Sequence, residues 1–228
     1  MRTSNFLDKI TPDNAAVLFI DYQTQLILGC QSMPPSELKN NTLALAQIAK
    51  IYRLPVVLTT TGGGAKGPAG GTFSELTKEL AGVEAIDRQA FYNSMQDPAF
   101  NDAVKKTGRK KLIIGGITTD LCVVFPAITA VAEGYDVYVV ADACAAWSRD
   151  IHDIAINRIR QAGVIVTNVQ SLCAELQSNL TEYDPARATA NQPTEIDFYG
   201  TFVGPLGLAN DQFFSNPNNP QWANEAAK

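Results

Sequence analysis

Strand-like apolar runs alternate with stretches of helical periodicity along most of this chain, and that alternation constrains its fold more than any other feature. Ala15-Ala16-Val17-Leu18-Phe19-Ile20 is apolar at every position, the pattern of a strand buried on both faces. Further strands are expected at residues 55–60, 84–88 (short and edge-like), from 111 onward, at 136–142 and at 164–167. Helices are expected between them: 36–52 with Ser36 as N-cap, 73–80, 97–107 with Asp97 capping and Pro98 in the first turn, 125–134, 150–162 and 169–176. Spacings of βαβ length predict an α/β fold, a doubly wound, six-stranded, mainly parallel sheet with helices on both faces. Residues 1–182 form this domain. Residues 183–228 break any helix with repeated prolines, yet carry Phe198, Tyr199, Phe202, Phe213, Phe214 and Trp222. So aromatic an extension is expected to pack on its own domain or on a neighbouring subunit.

Residues 111–125 are an apolar run with two glycines and a cluster of small polar residues ending in Cys122. They read as a buried strand, a tight turn and a thiol at the start of a helix, where the helix dipole favours the thiolate. Asp21 closes the first strand and Arg88 the third. In a doubly wound sheet such strand ends converge on one crevice. A cysteine hydrolase needs a thiolate, a group to move its proton, a cation to hold charge and an oxyanion site. Taken singly, each residue has a plainer reading: Cys122 as core packing, Asp21 as a turn residue, Arg88 as a surface charge. His152 stands in no nucleophile–base spacing, and one histidine with no DxH or HxH pair offers no metal site, so neither metal nor cofactor is expected.

A net charge of -5 with no basic block argues against nucleic acid and anionic membranes as partners, leaving a small-molecule substrate. Arg109-Lys110-Lys111, the densest basic cluster, reads as the solvated end of a helix. The polar start lacks the apolar core of a signal peptide, and no apolar run is long enough to span a bilayer. Four cysteines without CxxC spacing fit reduced thiols and a cytoplasmic location. The glycine-rich stretch 61–71 tempts a phosphate-loop reading, but Pro68 stands where the lysine belongs, and the stretch reads as a surface loop or lid.

Residues 15–21 followed by Gln23, the run Gly115-Gly116-Ile117-Thr118-Thr119-Asp120-Leu121-Cys122-Val123, and Asp142-Ala143-Cys144 resemble the isochorismatase-like cysteine hydrolases. The resemblance covers residues 13–175. Asn40-Asn41, Leu58-Thr59-Thr60 and Phe125-Pro126-Ala127 point to the YcaC-like subgroup. It implies a metal-independent amidohydrolase in which Cys122 attacks an amide-like carbon, giving an acyl-enzyme that water cleaves. Asp21 would carry the thiol proton to the leaving group, and Arg88 would stand where the family usually has lysine. Arginine keeps the charge but cannot shuttle a proton. A non-proline cis peptide is implied at Ile117–Thr118, with the N–H groups of Thr118 and Cys122 as oxyanion hole. Gln23, Phe91, Asn93, Phe125 and Trp147 are expected on the pocket wall, and the subgroup implies a homo-oligomer. Vinyl-ether cleavage needs no cysteine and zinc nicotinamidases need histidines absent here, so both are disfavoured. A decayed oligomeric scaffold and a thiol redox sensor remain alternatives on the same fold.

Overall fold

The computed structural model describes residues 8–88 and 91–178. The aromatic extension, and with it the proposed boundary at residue 182, lies outside them. Six strands form one sheet: β1 (Ala15–Ile20), β2 (Val56–Thr61), β3 (Ala85–Arg88), β4 (Lys111–Ile117), β5 (Asp136–Ala145) and β6 (Ile165–Thr167). Their order is β3-β2-β1-β4-β5-β6, and every pairing is parallel. The chain thus begins at the centre, builds outward to β3, then returns to lay β4 on the other side of β1. The winding reverses between β1 and β4, and open sheets of this kind bind ligands outside the carboxyl ends of the strands at such a point.

The helices are α1 (Thr24–Gly29), α2 (Pro35–Ile51), α3 (Ser74–Glu79), α4 (Pro98–Lys106), α5 (Val124–Glu133), α6 (Arg149–Gln161) and α7 (Val169–Gln177). Ala15, Val17 and Phe19 of β1 join Leu45 and Ile48 of α2, Leu76 of α3 and Leu172 of α7 in one core. Ala16, Leu18 and Ile20 join Phe100 of α4, Ala127 of α5 and Ile159 of α6 in the other. Alternating side chains feed opposite layers, which is why β1 carries no polar residue.

Four local features depart from the sequence reading. Helix α2 starts at Pro35 with Pro34 as N-cap, so Ser36 lies inside it and does not cap it. The short α1 was not foreseen; no side chain caps its N-terminus. Strand β5 runs past Asp142 to Ala145 because its register with β4 jumps: Ile114 faces Val139, but Gly116 faces Cys144. The bulge lifts Asp142 out of the ladder, and its carboxylate accepts the Val169 N–H at the start of α7. Asp142 thus binds the first N–H of α7, whose N-cap is Asn168. Lys111 is not solvated: it is the buried first residue of β4, ion-paired at 3.1 Å to both Asp8 and Asp136. Arg109 donates to the Asp13 carbonyl.

Candidate active site

Asp21 leaves β1 with φ 57, in the left-handed region, and its side chain is fully buried. Aspartate tolerates this backbone better than most residues, and such strain gathers at functional sites. Arg88 crosses the end of β2 to reach it. Nη1 donates to Asp21 Oδ1 and Nη2 to Oδ2, each at 2.5 Å, in a bidentate pair with both side chains sealed from solvent. Nη1 also meets Thr59 Oγ1 at 3.2 Å, and Nε donates to the Phe91 carbonyl at 3.1 Å. Burial works against the guanidinium charge, but the Asp21 hydrogen bonds and charge outweigh it and hold Arg88 cationic.

The Ile117–Thr118 peptide is cis. Beyond it, residues Thr119–Val123 form a single π-helical turn that leads into α5. Cys122, in that turn, is 7% exposed. The Asp21 carboxylate, the Arg88 guanidinium and the Thr118 N–H all act electrostatically on its thiol. Asp21, Arg88 and Cys122, from the ends of three strands, therefore meet in one cluster.

The thiol's electrostatics differ from the sequence expectation. Burial, then the charge and hydrogen bond of Asp21, push its pKa up, while Arg88 and the Thr118 N–H pull it down only in part. A thiolate was expected from a helix start. Here burial and the neighbouring carboxylate disfavour the thiolate.

The expected wall residues separate. Phe91, Asn93 and Phe125 line one cavity of about 420 Å³ beside α5, together with Tyr92, Gln96 and Arg158. None of the three clustered residues lines it. Asn93 is also engaged structurally, accepting from the Met95 N–H and donating to Thr129 Oγ1. Gln23 is engaged structurally: its amide donates to the Thr61 and Gly70 carbonyls and accepts the Thr61 N–H. It clamps the glycine loop to the end of β2. Trp147, 40% exposed, packs on the end of α1, where a Cβ at Gly29 would come within 2.4 Å of the indole. Sequence reasoning missed Thr59, which steadies Arg88, and the pairing of His152 with Thr119. The second was readable, because His152 shares a helical stripe with Ala155, Ile156 and Ile159.

An isochorismatase domain matches residues 15–171. The chain belongs to the isochorismatase family. It is 37% identical over 168 residues to the probable hydrolase YcaC of Escherichia coli, covering 74% of this chain and 80% of that one. The crystal structure of the Escherichia coli YcaC gene product, an octameric hydrolase of unknown specificity, superposes with a TM-score of 0.83 at 31% identity, covering 91% and 97% of the two chains. YcaC from Pseudomonas aeruginosa, solved with hexane-2,5-diol and covalent acrylamide, gives 0.82 at 34% identity, covering 90% and 97%. A nicotinamidase from Bacillus subtilis shares the fold, at TM-score 0.58 and 17% identity. The chain is thus an isochorismatase-family hydrolase similar to YcaC. Among the described residues, no group of three His, Cys, Asp or Glu side chains could hold a metal ion. No described helix is long and apolar enough to cross a membrane.

Proposed function

We propose that this hydrolase cleaves a C–N bond of a small amide-like substrate through an acyl-enzyme on Cys122. The observation that carries the reading is a buried carboxylate, held bidentately by a buried arginine, that acts on the Cys122 thiol in the turn beyond β4. Burial and Asp21 disfavour the free thiolate, so attack is coupled to proton transfer. Sulfur bonds to the carbonyl carbon as Asp21 takes the thiol proton. The carbonyl oxygen gathers negative charge against the N–H groups of Thr118 and Cys122. Collapse expels the amine, which leaves with the proton from Asp21. Water, deprotonated by Asp21, then splits the thioester, releasing the acid and restoring the thiol. Arg88 holds a fixed positive charge and takes no proton, so the proton path runs between Cys122, Asp21 and the reactants alone.

Covalent acrylamide in the Pseudomonas aeruginosa relative supports a site that admits a small amide. The test is turnover of a panel of amides, ureides and hydroxamates by wild type, Cys122→Ala and Cys122→Ser. The reading expects at least one compound to be hydrolysed by wild type and by neither variant. Hydrolysis that survives Cys122→Ala refutes it. The octameric Escherichia coli relative supports the further reading that this chain works as a homo-oligomer.

A further inference from the structure

His152 is the one histidine of the chain, and the chemistry proposed above leaves it unused. Its Nδ1 stands 2.9 Å from the Thr119 hydroxyl, and both residues are buried. Thr119 lies between Thr118, whose N–H acts on the Cys122 thiol, and Cys122 itself. Within that turn the Leu121 and Val123 N–H groups donate to the Thr118 carbonyl at 3.2 and 3.3 Å, and the Val124 N–H donates to the Thr119 and Leu121 carbonyls. A single π-helical turn has few internal bonds to define it. The Thr119–His152 contact ties it to a separate, longer helix, α6. Burial and the nearby Arg149 lower the imidazole pKa, against the Asp153 carboxylate, which favours the neutral ring with one donor and one acceptor. Losing either partner of such a buried pair leaves the other unsatisfied.

We propose that His152 is a positioning residue for the nucleophile: through Thr119 it sets where the Thr118 N–H and the Cys122 sulfur stand relative to each other. The inference rests on the reading of Cys122 as nucleophile. A misplacement of about 1 Å costs roughly a hundredfold in a reaction that depends on near-attack geometry. The imidazole also borders a cavity of about 610 Å³, shared with Ser32, Asp142, Arg149 and Asn168. A shorter side chain at 152 therefore widens an existing cavity and seals no new void inside the core.

The experiment compares full-length wild type with His152→Phe, His152→Asn, Thr119→Val and Thr119→Ser. It follows alkylation of Cys122 by iodoacetamide with peptide-resolved mass spectrometry, alongside melting temperature. His152→Phe and Thr119→Val are each expected to slow Cys122 by about tenfold or more. His152→Asn and Thr119→Ser, which keep a polar partner, are expected to stay within about threefold of wild type, and the double variant His152→Phe/Thr119→Val is expected to be no slower than the worse single one. Phe and Val variants that melt lower yet alkylate at the wild-type rate would overturn the inference, leaving the pair a structural bond. Should His152→Phe fail to fold, Thr119→Val decides by the same rate. A wild-type Cys122 that reacts no faster than buried Cys144 and Cys173 would sink the nucleophile reading itself, an outcome distinct from a reactive thiol indifferent to His152.

Discussion

Asp21 acts on Cys122 in two opposed ways. Its negative charge raises the thiol pKa, which by itself slows the thiol, while its lone pairs offer the place to which the proton can go. Arg88 reconciles them. It binds both carboxylate oxygens and is itself held by Thr59 and the Phe91 carbonyl, so each charge of the buried pair has a fixed partner. Asp21 and Cys122 could be found in the sequence because each is a lone polar or reactive residue just past an apolar strand. The role of Gln23 could not, since it depends on Gly70, brought back by a loop more than forty residues further on.

At the scale of elements, Gly115 and Gly116 lie inside β4, the strand that delivers the nucleophile turn. A Cβ at Gly115 would meet the Tyr22 hydroxyl at 2.5 Å; one at Gly116 would meet the Ile20 carbonyl oxygen at 2.8 Å and Val123 Cγ2 at 3.1 Å. These glycines let β1, the turn and Tyr22 close on β4. Tyr22 in turn donates to the Ala143 carbonyl in the bulge of β5, so the approach and the bulge belong together. We therefore predict that Gly116→Ala destabilises the fold by about 1–3 kcal/mol through overpacking. Urea unfolding measures it, and an unchanged midpoint would mean that the contacts relax freely. None of this was legible in advance, because a bulge is a property of two strands. By contrast β1 was plain from its own composition, and α4 from Asp97, whose side chain accepts the Phe100 N–H.

For the molecule as a whole, βαβ spacing and apolar runs predicted a six-stranded parallel sheet before strand order was known, because right-handed crossovers leave few ways to connect such a chain. Lys111 marks the limit of that reasoning: a basic triplet reads as surface until the two carboxylates that pair with one of its members are seen to converge. The exposed Phe91 and Tyr92, together with the octamer formed by the Escherichia coli relative, lead us to expect a homo-oligomer. Light scattering on the full chain should give an integral multiple of the chain mass; a monomer at micromolar concentration would refute this.

The most direct test of the central claim, that Asp21 takes the proton of Cys122, is the iodoacetamide rate at Cys122 in wild type and Asp21→Asn, read per peptide. The two actions of Asp21 predict opposite signs. If Asp21 is the base, its replacement slows Cys122 by about a hundredfold or more, with Cys144 and Cys173 staying protected as the check on folding. An Asp21→Asn protein in which those two thiols stay protected and Cys122 reacts as fast as in wild type, or faster, would contradict the account.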